Sequence, residues 1–409
     1  MKSVGKTLLA ICAASAGVAS AETSLRPGST LNNQSAIGAV TSMGSTAAFY
    51  NPANLTAKDT FNVDADLTLL NIAHTYEHPD YEPYQLNMTV PLITAGLTYR
   101  PNRQLVVGFS LFPTGAGTEA TIAGLPLDLT PTVSSVADIN AKQTAYDAAL
   151  GAVYRFHRSL YVGVSATYLD RQREVAIQVE DTDDPVVDAT MQASAVQPRL
   201  GVRSQVGDLR LGLFYAPATE LAYSGRARSP ALGQPDEVDV ETVEYLAPEI
   251  SIGARFVQPH WTVWTEVMHE QFSAGREIAV SGMNELDARE TEFVDATSYA
   301  IGMDHIINSQ SHWGLGAGYF PGNLEAGTWT GEGGVDELGV SGIQFGKFDA
   351  LDRYSLGGFY VRDWEDMTRT RFGVTTSRGS ATVADDRPRK GEYSLQTIGL
   401  SASLSKPIN

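Results

Sequence analysis

From Phe61 onward the chain repeats one constraint: apolar and polar residues alternate with a period of two. Phe61, Val63, Ala65, Leu67 and Leu69 fall on one side of an extended segment, with Asn62, Asp64, Asp66 and Thr68 on the other. That periodicity predicts a strand with one apolar and one polar face. It returns at Tyr146, Ala148, Leu150, Ala152 and Tyr154, at Leu160, Val162, Val164, Ala166 and Tyr168, and at Leu209, Leu211, Leu213 and Tyr215. Further cases are Ile250, Ile252, Ala254 and Phe256, then Tyr354, Leu356, Gly358 and Tyr360, and lastly Ile398, Leu400, Ala402 and Leu404. The reading is all-β, with about fourteen strands.

Alternation alone does not say what wets the apolar face, because a soluble sandwich alternates too. Connection lengths decide it. Tight links at Pro101-Asn102-Arg103, His157-Arg158, Gly207-Asp208, Gln258-Pro259, Ser309-Gln310 and Trp364-Glu365 take turns with long polar stretches at 74–83, 113–142, 181–189, 226–242, 274–293, 321–347 and 378–390. Short turns at one end and long loops at the other, around an even strand count, are the pattern of an antiparallel transmembrane barrel. A strand from Tyr146 to Tyr154 covers roughly 20 Å of bilayer after tilt, so its two tyrosines bracket the apolar band. The apolar sets hold no charged residue, as lipid requires, since Arg or Lys at mid-bilayer costs about 2–4 kcal/mol.

The first residues agree with export. Lys2 and Lys6 precede an apolar run and Ala19-Ser20-Ala21, the shape of a secretory signal peptide over 1–21. Ile11 is too bulky a neighbour for Cys12 to be a lipid-modified cysteine. Cys12 is the only cysteine, so the exported chain has no thiol chemistry, disulfide or cysteine-ligated metal to offer. Past the signal no run approaches the ~20 apolar residues of a membrane helix.

The net charge of −18 excludes a nucleic-acid partner, because nothing would neutralise phosphates. The acid sits in short tracts such as 181–184, 236–244 and 332–337, which read as solvated loops; Asp181-Thr182-Asp183-Asp184 lacks the glycine and distal glutamate of an EF-hand loop. No Gly-x-Ser-x-Gly elbow, phosphate-cradling loop or His-Glu-x-x-His pattern occurs, so no catalytic residue is assigned and the chain reads as a non-enzyme without cofactor or metal. His74 and His78 come nearest to ligand spacing and fall in an expected outer loop.

Between signal and first strand, residues 22–58 are too poor in large apolar groups to form a core, yet too long for an idle linker. Pro52 pushes Asn51 out of the helical region and itself suits the start of a short turn, while Gly38, Ala39, Gly44, Ser45, Ala47 and Ala48 permit close packing against a wall. The expectation is a plug inside the periplasmic end of a barrel formed by 59–409.

The stretch SAIGAVTSMGSTAAFYNPANL (35–55) resembles the plug region of the long-chain fatty-acid transporter family, the FadL and TodX type, in which an Ala-Phe-Tyr-Asn-Pro-Ala-like segment precedes the first strand. Weaker echoes follow at LAPEISIGARF (246–256), FVDATSYAIGMD (293–304), GLGAGYFPG (314–322) and DRYSLGGFY (352–360). The resemblance implies a fourteen-stranded barrel with an N-terminal hatch that imports hydrophobic compounds and releases them sideways through the wall. Phe49, Tyr50, Asn51 and Pro52 then belong to the gate. Two departures stand out: the chain ends in Lys406-Pro407-Ile408-Asn409 rather than an aromatic, and its acidic loops suit a neutral ligand better than an anionic one.

If the apolar sets face lipid, their neighbours face the lumen. Arg155, Arg203, Arg210 and Arg255 then form a basic arc near the plug, with Arg199 about 10 Å further in. Either these arginines pair with lumen acids such as Asp147, Glu249 and Glu266, or Arg199 or Arg203 grips a substrate carboxylate. Phe112, Phe214, Trp264, Met268, Phe272 and Phe359 point inward as well, lining a site for greasy ligands or packing the plug. The apolar stretch at 116–129 is either a first landing site or a loop core. Pro91 and Pro198 cannot donate to a ladder and mark candidate breaks in the wall.

The expected partners are a hydrophobic small molecule, outer-membrane lipids and the barrel-assembly machinery during insertion. The expected place is the outer membrane of a Gram-negative cell. The competing expectation is a non-transporting barrel that serves as scaffold or accessory to a secretion or conjugation system.

Overall fold

The computed structural model describes residues 36–57, 59–77, 84–113, 118–130, 133–179, 185, 187–229, 234–275, 277–278, 280–281, 289–290, 294–322, 351–383 and 391–408. The expected signal peptide, residues 22–35, His78 and the segment 323–350 lie outside them.

Eighteen strand segments make one antiparallel sheet; four of them are outer arms, and the remaining fourteen close into a barrel. In chain order the wall strands are β1 (Phe61–Glu77), β2 (Tyr84–Tyr99), β3 (Leu105–Pro113, with an outer arm Thr118–Thr130), β4 (Val133–His157), β5 (Leu160–Val179) and β6 (Val187–Val206). Then come β7 (Leu209–Ala216, continued by Thr219–Ser229), β8 (Glu249–Val257, preceded by Gln234–Leu246) and β9 (Trp261–Glu270). The rest are β10 (Ala296–Asn308), β11 (Ser311–Phe320), β12 (Asp352–Asp363), β13 (Arg369–Val383) and β14 (Gly391–Ile408). Each pairs with its sequence neighbour, and β1 closes the ring on β14 in unbroken register from Phe61↔Ile408 to Glu77↔Glu392.

All six links read as tight from the sequence are tight, and all fall at one end of the barrel. At Gly207 the turn demands a positive φ of 59°, open to glycine without strain. Two of the long connections are shorter than the sequence suggests. Much of 113–142 and 226–242 is strand, because the edges of β4 and β6 stand proud of their neighbours and recruit the arms Thr118–Thr130 and Thr219–Ser229, the second of which in turn pairs with Gln234–Leu246.

The apolar sets face outward. Leu67, Leu69, Leu150, Val164, Leu211, Ile252, Ile301, Leu356 and Leu400 are all exposed on the outer wall, Leu150 and Ile301 at 58 % each. An aromatic row at the tight-turn end includes Phe61 stacked on Tyr99 at 4.5 Å, Tyr154 against Phe156 and Phe256 beside Trp261. A second row holds Tyr146, Tyr168, Tyr215, Tyr299 and Tyr354. An outer surface this apolar, bounded by two aromatic rings, has hydrocarbon as its matching solvent. The buried groups sit inside, where residues 36–57 pack on the inward faces.

Candidate functional site

Seven consecutive strands, β2 to β8, each present a glycine to the lumen near the tight-turn end: Gly96, Gly108, Gly151, Gly163, Gly201, Gly212 and Gly253. Three pairs stand directly opposite across the ladder, Gly108↔Gly151, Gly163↔Gly201 and Gly212↔Gly253. The reason is steric. A Cβ on Gly163 would lie 2.3 Å from the carbonyl carbon of Pro52, one on Gly201 2.1 Å from Asn51 Oδ1, and one on Gly212 2.2 Å from the carbonyl oxygen of Ala39. At Gly163 and Gly212 main chain of residues 36–57 thus rests on main chain of the wall, which only glycine allows.

On β9, next in line, the glycine is replaced by Glu266. Its carboxylate, 1 % exposed, accepts from the backbone N–H of Ile37 (2.7 Å), Gly38 (3.1 Å), Val40 (2.7 Å) and Thr41 (3.0 Å), and from the Thr41 hydroxyl (3.0 Å). Gly38 takes a φ of 109°, which turns these N–H groups toward one point. Five donors and no acceptor converge there, the environment of a carboxylate. Sequence reasoning placed Glu266 among arginine partners; its real signal is a lone acid between Trp264 and Met268 on an inward face.

The Asn-Pro motif ties the segment to itself. Pro52 opens the short turn Pro52–Asn54, and Asn51 Oδ1 accepts from Ala53 N–H at 3.0 Å. Asn51 Nδ2 and Asn54 Nδ2 both donate to the carbonyl of Ala39, at 2.7 and 2.9 Å, so the two ends of the segment are drawn together. Phe49 meets Phe112 at 4.8 Å and Tyr50 at 5.2 Å.

Phe214, Trp264 and Met268 form one buried cluster with Ile37, Val40 and Tyr50, so they pack against residues 36–57. Phe112 belongs to a second cluster with Ala48 and Leu55. Phe359 lies apart, 3.5 Å beneath the guanidinium of Arg371, and Phe272 is half-buried in a turn beyond the end of β9. Arg199 lies over the Phe49 ring at 4.8 Å, donates to Gln197 Oε1 at 2.7 Å and approaches Glu249 to 3.7 Å. Asp147 pairs instead with Arg171, and Arg255 with Asp304 at 2.7 Å. Arg203 stacks on Tyr161 at 4.0 Å. Among the described residues no group of three or more His, Cys, Asp or Glu is placed to hold a metal ion.

Both prolines flagged in the sequence fall where the wall ladder is interrupted. Among the described residues β2 pairs with β3 from Ala95 to Tyr99, and Pro91 lies in the stretch beyond. β6 pairs with β7 below Leu200 and with its outer arm above Gln192; Pro198 lies in the gap at 193–199. Gln197 Nε2 reaches across that second break to the carbonyl of Pro217 at 3.1 Å.

No family model matches the chain, and no curated protein matches it in sequence. Solved structures do. The Pseudomonas aeruginosa FadL homologue superposes with a TM-score of 0.68 at 13 % identity, over 93 % of this chain and 98 % of that one. This is the FadL-type barrel fold. The P. putida toluene transporter TodX gives 0.69 at 13 %, covering 94 % and 99 %, and the Ralstonia pickettii toluene transporter TbuX 0.67 at 14 %, covering 95 % and 100 %. At such identities the FadL-type likeness lies in strand order and closure, and residue roles rest on the contacts described above.

Proposed function

We propose that the protein is an outer-membrane channel for passive uptake of hydrophobic small molecules, with residues 22–58 as its plug. The observation that carries this reading is the seating of 36–57 on the glycine wall inside a barrel with an apolar exterior. A segment held by backbone contact, two wall carboxylates (Glu266 and Asp64) and apolar packing, with no covalent tie to the wall it rests on, is a stopper that can shift without unfolding that wall. The interruptions at Pro91 and Pro198 are the places where a ligand leaves the lumen sideways, driven by about 25 cal/mol per Å² of apolar surface passed to lipid.

Arg199 and Arg203, with Phe214, Trp264 and Met268, remain the ligand-contacting set in this proposal. The aromatic cluster is uncovered when the plug moves, and Arg199 follows Phe49. The structural neighbours include toluene transporters and a monoaromatic hydrocarbon channel, which favours small uncharged aromatics as ligands. The acidic outer loops point the same way.

Uptake into proteoliposomes, measured for toluene, laurate and glucose, tests the proposal. Uptake of toluene or laurate above protein-free vesicles, with glucose excluded, is the expected result. A barrel that passes none of the three is the scaffold of the competing reading.

A further inference from the structure

The tight-turn mouth of the barrel is electrically lopsided. Segments 100–104, 155–159 and 203–210 lie on adjacent strands and hold Arg100, Arg103, Arg155, Arg158, Arg203 and Arg210 against Asp208 alone, in a chain whose net charge is −18. Every cation among them is arginine. Arg203 and Arg155 converge on one ring, their guanidinium carbons 4.0 and 5.5 Å from the centre of Tyr161. Arg210 stands directly opposite Arg255 across the β7–β8 ladder, a like-charge pairing that costs stability, and its Nε is buried without a hydrogen-bond partner. Arg255 has Asp304; Arg155, Arg203 and Arg210 have no carboxylate within ion-pair distance among the described residues.

The position of this arc is as specific as its charge. Arg203 lies two residues from Gly201 and Tyr161 two from Gly163, the pair of glycines on which the Pro52–Asn54 turn rests. The arc is therefore the floor immediately beneath the plug, on the periplasmic side.

We propose that Arg155, Arg203 and Arg210, grouped round Tyr161, form an oxyanion site that takes the carboxylate or phosphate head of an amphiphile at the periplasmic mouth. Planar forks of donors fit such heads in bidentate fashion, and an incoming anion relieves the arginine–arginine repulsion that the fold otherwise carries. The site accepts the head of a free fatty acid or of a phospholipid from the adjoining leaflet; the shared chemistry is the oxyanion. It stands whether or not the channel transports, since it needs only the folded barrel.

The test uses the full chain in uncharged detergent, with laurate, dodecyl phosphate and dodecanol as probes by equilibrium dialysis. A parallel arm compares nanodiscs of phosphatidylglycerol with phosphatidylcholine by native mass spectrometry. Laurate or dodecyl phosphate, or phosphatidylglycerol, is expected to bind in preference to its uncharged or zwitterionic counterpart, and about tenfold more weakly to R203Q/R210Q. Preference for the single-chain anions identifies a free amphiphile as the source, and preference for phosphatidylglycerol alone a membrane lipid. R155Q/R158Q, at more exposed positions, supplies the same comparison if the first variant does not fold, judged by heat-modifiable gel migration. Equal binding of dodecanol and laurate together with no preference for phosphatidylglycerol overturns the proposal. So does anion binding unchanged in a folded variant.

Discussion

The two halves of the barrel use inward glycines for opposite purposes. On β2 to β8 the space above each glycine is taken by residues 36–57: at Gly163 and Gly212 a Cβ would strike their backbone, and at Gly201 the side chain of Asn51. On β10 and β11 it is taken by the wall's own aromatics, Trp264 over Gly302 and Phe359 over Gly314. The first set forms a seat for another segment, while the second lets a neighbour's ring lie flat. One residue type at the same depth therefore means nothing until its occupant is known. The physical difference is rigidity, because backbone cannot step aside and the end of a phenylalanine ring can.

The strongest way to break this contrast is to remove the occupant. Deletion of 22–55 should leave the seat empty and raise the permeability of proteoliposomes to small hydrophilic dyes severalfold or more. Unchanged permeability would mean that the segment does not close the lumen. Next comes the carboxylate at the edge of the seat. Glu266→Gln sets an amide N–H against converging donors and should weaken the docking of residues 36–57 by on the order of 2–3 kcal/mol, read as faster hydrogen exchange at Ile37 to Thr41 with the barrel amides unaltered.

A pair of substitutions then compares the halves directly. Gly163→Val meets backbone and should cost about 1–3 kcal/mol or displace residues 36–57, whereas Gly314→Val meets the end of the Phe359 ring and should cost less. Dye leak from both variants, side by side, decides whether the seat is the more demanding site; equal leak would erase the distinction. The smallest effect is expected from Gln197→Ala, which removes the side-chain bridge across the β6–β7 break. A modest gain in toluene uptake with no dye leak would assign that break to lateral passage, and an unchanged rate would leave the β2–β3 interruption as the route.

Much of the wall was legible because its information is local. Alternation assigned inside and outside at Phe61 to Leu69 and Tyr146 to Tyr154, and Pro101, Gly207 and Ser309 mark real turns. Pro91 and Pro198 were readable for a similar reason, since the missing N–H travels with the residue. The arms at 118–130 and 219–229 escaped notice, because what makes them strand is an unpaired edge supplied by β4 or β6. Glu266 escaped for the same cause in stronger form. Its donors lie more than two hundred residues away in sequence, and no local pattern carries that pairing.

The long seam between β1 and β14 bears on how such an object is put together. Residues 36–57 lead into β1 at the end of the barrel where β14 also finishes. Nothing has to be threaded through a finished hoop: the inner segment can be laid in while the staves still stand open, and fastening the first stave to the last encloses it.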